Sequence, residues 1–247
     1  MAYNKLHLKT DRFDEEITYF RTGPKKKPLL FLHGFGTAPH KYTPLLGWLS
    51  LKYEIIAPVM YGVNCLKNQP TTLEDYANIT SEFTKEIGLE DYLKVGHSTG
   101  GGVVLMMNKS EDESDAGSIA MNPIMPSRFY KDFFVPHAMM TYHALNLTKK
   151  YNLGVLGLLK NSLKDPVSTH NIMTNIADQD WDLFDVKKKT SVIYSEHDEF
   201  FKGKTKEKLK MLGKKDNIEL MVLPDRNHFW FLETPQKASN IIDNLFK

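Results

Sequence analysis

Disulfide chemistry is the first thing this chain lacks. Cys65 is the only cysteine in 247 residues, so no intrachain disulfide can form, and the pattern fits a reducing compartment. No apolar run approaches the ~20 residues that a membrane span needs. The opening residues, MAYNKLHLKTDRFDEE, contain no apolar stretch of the kind a secretory signal carries. The expectation is a cytoplasmic protein with no membrane span. An excess of one charge is also missing. Thirty-two Lys and Arg against 30 Asp and Glu leave a net charge of +2, too balanced to serve as an electrostatic footprint for nucleic acid. The basic runs Lys25-Lys26-Lys27 and Lys187-Lys188-Lys189 stand just before apolar runs. They read as solvated charge guarding strand starts against aggregation. Internal repeats and low-complexity segments are absent as well.

What is present is an ordinary globular composition, with 41% hydrophobic and 25% charged residues, enough to form a core without staples. YNKLHLKT and EEITYFRT read as two short strands joined by DRFD. KPLLFLHG and YEIIAP are short apolar runs of the kind that a strand buried on both faces shows, and DYLKVGH, SIAMNP, TSVIYSEHD and NIELMVLP read as further strands. FGTAPHKYTPLLGWLS, TTLEDYANITSEFTKEIGL, TGGGVVLMMNKS and TPQKASNIIDNLF read as helices or loops leading into them. Thr71 with Glu74 makes a capping box for the second of these. Thr234 as N-cap and Pro235 at N1 open the last. Strand and helix alternate after an N-terminal hairpin, which predicts an α/β fold with a doubly wound, mostly parallel sheet. About 65 residues between SIAMNP and TSVIYS carry no strand signal and are rich in Met, Tyr, Leu, Phe and His. They predict a helical lid over 123–185, inserted into a core made of 1–122 and 186–247.

The segment LKVGHSTGGGVVLMMN, residues 93–108, sets Ser98 between Gly96 and Gly100. Chance alone would flank one serine this way in roughly one such chain in twenty. The context is more specific, because a strand enters the pattern and a helix leaves it, as a nucleophile elbow requires. Such glycines let strand and helix approach closely, and the helix N-terminus supplies N–H groups and positive potential beneath the hydroxyl. A serine needs a base to become a nucleophile. His228 follows the last strand, and Asp198 follows the strand before it. A carboxylate there would hold the imidazole tautomer, although Glu196, Glu199 and Asp225 are its neighbours.

These motifs resemble the α/β-hydrolase fold superfamily, of the serine esterase and lipase-like class, over nearly the whole chain. LLFLHGFG resembles the oxyanion loop, VGHSTGG the elbow, SEHDEF the acid turn and NHFWFLETP the histidine loop and final helix. The resemblance implies an eight-stranded-type sheet and a triad of Ser98, Asp198 and His228. It also implies an oxyanion hole from the backbone N–H groups of Phe35 and Thr99. Gly34 would let backbone approach the reacting carbonyl, and Met125, Met139 and Tyr142 would touch substrate from the lid. Two positions depart from the family pattern. The loop APVMYGVNCL lacks the usual Asp, and Asn227 stands before the base in place of Gly.

The function implied is cleavage of a carboxylic ester with an apolar part, without metal or organic cofactor, by a monomer or homodimer. Thioester, amide or carbon–carbon bond hydrolysis and lyase chemistry use the same triad, and a non-catalytic ligand-binding protein on this fold is a further alternative. His97 reads as a packing and hydrogen-bonding residue, His33 as a loop anchor, and Asn122 as a position that cannot carry the acid's charge.

Overall fold

The computed structural model describes residues 2–10, 13–23, 26–35, 37–60, 72–110, 116–124, 185–198 and 204–247. Met125, Met139, Tyr142, Glu199 and nearly all of the expected lid lie outside the described residues.

Eight strands among the described residues form one sheet. They are β1 (Ala2–Lys9), β2 (Asp14–Arg21), β3 (Pro28–Leu32), β4 (Glu54–Pro58), β5 (Leu93–His97), β6 (Ser118–Met121), β7 (Thr190–Ser195) and β8 (Ile218–Leu223). Their order is β1-β2-β4-β3-β5-β6-β7-β8. The hairpin β1–β2 and the β2–β4 pair are antiparallel, and every pair from β4 to β8 is parallel. The predicted sheet is therefore the observed one. Every residue of β4, β5, β6 and β7 is buried, whereas in the edge strand β8 only Ile218 is. Helices covering both faces of parallel strands impose that difference.

The two-residue period of a strand sorts its side chains between two cores. Leu29 and Phe31 of β3 face one layer, packed by α1 (Thr43–Leu49), the short α5 (Trp230–Glu233) and α6 (Pro235–Leu245). Leu30 and Leu32 face the other, packed by α2 (Leu73–Glu86) and α3 (Thr99–Met107). A smaller cluster joins Leu105, Ala120, Val192 and Tyr194 to Leu209 and Leu212 of α4 (Lys204–Leu212). No helix is expected from the sequence between β7 and β8. The stretch KTKEKLKML is lysine-rich and offers only a narrow apolar stripe.

Three local details differ from expectation. The α2 cap lies one residue later than predicted: Thr72 Oγ1 accepts from the Asp75 N–H at 3.0 Å and donates to Asp75 Oδ2 at 2.7 Å. The helix starts at fully buried Leu73, so Thr72 holds the position from which a side chain reaches the free first-turn donors. Thr234 is the N-cap of α6 by position, but its side chain makes no capping hydrogen bond. Lys26 and Lys27 are more than solvated guards. Lys26 Nζ donates to the carbonyls of Ser50 and Leu51 at 2.7 and 2.8 Å, just past α1, and Lys27 pairs with Asp91. Among the described residues no helix is long and apolar enough to cross a membrane.

Candidate active site

The parallel strands deliver their carboxyl ends to one edge, and that edge gathers the candidate residues. β5 sits between β3 and β6, with Gly96 opposite Leu32 and Ala120. Ser98 follows β5 and precedes α3 with φ 55° and ψ −116°, a conformation that non-glycine side chains rarely adopt and that costs about 1–3 kcal/mol. Backbone bonds hold it there. The Ser98 N–H donates to the Met121 carbonyl at 2.9 Å, and the Ser98 carbonyl accepts from the N–H groups of Gly102 and Ile124 at 3.0 and 2.9 Å.

The flanking glycines are required by contact. A Cβ on Gly96 would lie 2.1 Å from the Gly100 carbonyl oxygen, and one on Gly100 would lie 2.2 Å from that of Leu32. Both neighbours are backbone and cannot swing aside. Gly100→Ala is therefore expected to destabilise the protein by at least about 3 kcal/mol. Denaturant unfolding of the purified variant measures this, and wild-type stability would contradict it.

Asp198 closes the turn after β7, and His228 sits in the loop after β8. Two backbone bonds knit these segments, Glu196 N–H to Leu223 O at 3.0 Å and His197 N–H to Arg226 O at 2.9 Å, and Asp198 N–H to Ser195 O at 3.2 Å closes the turn itself. The consequence is a contact of 2.6 Å between His228 Nδ1 and Asp198 Oδ2, with both residues 3% exposed. A carboxylate accepts, so Nδ1 carries the proton and Nε2 the lone pair. Of the neighbouring acids, Glu196 is exposed and Asp225 faces His197 at 3.4 Å.

The loop after β3 lies against the elbow. A Cβ on Gly34 would stand 3.2 Å from the Cβ of Ser98. Phe35 follows it, half-buried against the α2–α3 core. Thr99, buried, is the first residue of α3, where helix N–H groups lack intrahelical acceptors. His33 anchors this loop. Its Nδ1–H donates to the Gly34 carbonyl at 2.9 Å, and its Nε2 accepts the Met60 N–H at 2.8 Å.

Burial lowers the His33 pKa to about 4, and pushes that of His97 well down, with His228 adding to the effect. Both are neutral when folded. Between about pH 4 and 6.5 the unfolded chain binds more protons, so stability is full above the unfolded value and falls as pH drops through this window. His33 alone contributes about 3 kcal/mol of that loss, and His97 acts in the same direction. Urea midpoints should therefore decline between about pH 7 and about pH 5, and an unchanged midpoint would contradict the assignment.

Two residues with no motif signal complete the arrangement. Asn122, at φ 41°, accepts the Ser195 N–H at 2.8 Å and donates through Nδ2 to Ser195 Oγ at 3.0 Å and to the His228 carbonyl at 3.1 Å. Tyr42, buried above α1, contacts both Gly34 and His97. Among the described residues no cluster of three or more His, Cys, Asp or Glu could hold a metal ion.

No protein-family model matches the chain. Two curated proteins are similar over part of it. A magnesium-chelatase 30 kDa subunit of Rhodobacter capsulatus is 29% identical over 90 residues, which is 35% of this chain and 32% of that protein. The dihydrolipoyllysine-residue acetyltransferase component of an acetoin cleaving system of Cupriavidus necator is 32% identical over 93 residues, 37% of this chain and 25% of that protein. The matched regions thus span about a third and a quarter of those proteins' own length. Solved structures match throughout. Naproxen esterase of Bacillus subtilis superposes with a TM-score of 0.69 at 19% identity, covering 100% of this chain and 92% of that one. A thermophilic esterase of Thermogutta terrifontis gives 0.73 at 17% identity, covering 99% and 97%. A membrane phospholipase A described as a bacterial virulence factor gives 0.76 at 16%, covering 98% and 85%. With its sheet order, its strained turn after β5 and these superpositions, the chain has the α/β-hydrolase fold.

Proposed function

We propose that this protein is a serine hydrolase that cleaves a carboxylic ester with an apolar part. The observation that carries the reading is the buried His228–Asp198 pair at 2.6 Å, on the same sheet edge as the strained turn of Ser98. A solvent-exposed histidine would not need a carboxylate to fix its tautomer. The esterase and phospholipase names of the superposed structures lend support.

His228 Nε2 takes the proton from Ser98 Oγ as that oxygen attacks the ester carbonyl carbon. Asp198 stabilises the imidazolium without itself accepting the proton. The N–H groups of Phe35 and Thr99 hold the oxyanion, and each such donor typically contributes about 10²–10³ in rate. His228 then protonates the departing alcohol. Water, deprotonated by the same nitrogen, attacks the acyl-Ser98 carbonyl, and His228 returns that proton to Ser98 Oγ as the acyl–oxygen bond breaks and the carboxylic acid leaves. Met125, Met139 and Tyr142 of the lid bind the apolar part.

A fluorophosphonate probe tests this directly. It should label the wild-type protein, with the adduct on the peptide containing Ser98. A folded wild-type protein that takes no label would overturn the reading.

A further inference from the structure

Tyr42 and His97 lie outside the proposed chemistry, yet they connect its two halves. The proton positions follow from the ends of the chain of bonds. His97 Nε2 is 3.1 Å from the His228 carbonyl oxygen, which can only accept, so Nε2 carries the hydrogen. Neutral His97 then has a lone pair on Nδ1. That nitrogen is 2.9 Å from the Tyr42 hydroxyl, which must donate to it. The same hydroxyl accepts the Gly34 N–H at 2.9 Å. Thr37 Oγ1 is 3.2 Å from Tyr42 and directs its own hydrogen to the Gly34 carbonyl at 2.6 Å. The result is a one-way sequence: Gly34 N–H to Tyr42 O–H to His97 Nδ1, then His97 Nε2–H to His228 C=O.

The span of this sequence matters more than any one bond in it. It begins in the loop after β3, passes through the residue that precedes Ser98, and ends on the main chain of His228. All of its members are buried, and the rings are packed: Tyr42 stacks on Phe231 at 5.5 Å, and the His97 and His228 rings are 4.6 Å apart. The His228 carbonyl accepts one further bond, from Asn122. Side chains of β5 and β6 ends thus fix the backbone of the residue whose imidazole must meet Ser98.

We propose that Tyr42 and His97 are positioning residues that hold the oxyanion loop and the base in one register around Ser98. This rests on the assignment of Ser98 and His228 made above. Neither residue exchanges a proton with substrate. Each acts by limiting the displacement of a group that does, and a misplacement of about 1 Å can cost about a hundredfold in rate.

Three variants separate this from simple core packing. Tyr42→Phe keeps the ring on Phe231 and removes only the hydroxyl, leaving Gly34 N–H without its acceptor and His97 Nδ1 without its donor. His97→Gln keeps an N–H near the place of Nε2, so it can still donate to the His228 carbonyl. His97→Asn keeps polar atoms only near Nδ1 and cannot reach that carbonyl. The readouts are kcat and KM on a nitrophenyl ester and the second-order rate of fluorophosphonate labelling, taken well below each variant's unfolding midpoint. Tyr42→Phe and His97→Asn should lose about tenfold to a hundredfold in kcat and in labelling rate, with KM within about twofold. His97→Gln should recover most of the loss seen in His97→Asn. Labelling of Tyr42→Phe at the wild-type rate would overturn the inference while leaving the hydrolase reading intact. A wild-type protein that takes no label would remove both. Tyr42→Phe decides the question alone if a His97 variant does not fold.

Discussion

Ser98→Ala is expected to abolish ester hydrolysis, with a loss on the order of 10⁶-fold in kcat, and to end fluorophosphonate labelling. The change removes one oxygen and little else. The hydrogen bonds that hold this turn to Met121, Gly102 and Ile124 are made by the Ser98 backbone, and alanine retains them along with the Cβ. The fold should therefore persist, with the thermal midpoint within a few degrees of wild type, and lost activity cannot be attributed to unfolding. The effect is large because nucleophile and base act as a unit. Without Oγ, His228 has no proton to take and the acyl intermediate cannot form, so only the oxyanion donors and substrate binding remain. Nitrophenyl ester hydrolysis, probe labelling and thermal unfolding on the same preparations measure this. Undiminished hydrolysis by the variant would refute the assignment of Ser98.

Asp198→Asn is expected to lower kcat about 10⁴-fold with little change in geometry. The carboxylate faces the imidazole at 2.6 Å where both groups are almost fully buried, which makes it a strong, charge-assisted acceptor. An amide N–H turned toward the ring favours the opposite tautomer, with the proton on Nε2, and that nitrogen then cannot accept from Ser98. The neighbouring acids are the controls. Glu196 is exposed, and the Asp225 side chain is 92% exposed and faces His197. Glu196→Gln and Asp225→Asn should thus stay within about twofold of wild type, as surface changes do. Steady-state kinetics on the three variants decide between them. Wild-type kcat in Asp198→Asn would move the acid elsewhere.

Much of the architecture was legible because burial leaves a local record. A strand covered on both faces reads as an unbroken apolar run, as IIAP does, whereas the edge strand IELMVL is nearly as apolar in sequence although only Ile218 in it is buried. The turn at Ser98 was legible for a steric reason: only glycine fits where a Cβ would meet backbone at 2.1 or 2.2 Å. Helix α4 was not, because its apolar stripe is narrow and its lysines mask it. The α2 cap was misplaced by one residue because Thr71–Glu74 and Thr72–Asp75 offer the same chemistry, and packing of Leu73 chooses between them.

For the site, the order Ser98, Asp198, His228 follows from motifs, each confined to a few residues. What no motif holds is who touches whom. Asp198 is distinguished from Glu196 and Asp225 only by the bonds that tie its turn to the loop after β8. Tyr42 meets His97 across 55 positions, and Asn122 meets the His228 carbonyl across 106. The sequence by itself determined which segments are buried, where the chain bends sharply and which residue types stand at the strand ends. The tertiary structure decided which of those ends adjoin, because hydrogen bonds act over about 3 Å, and only the lateral order of the strands brings such distant positions that close.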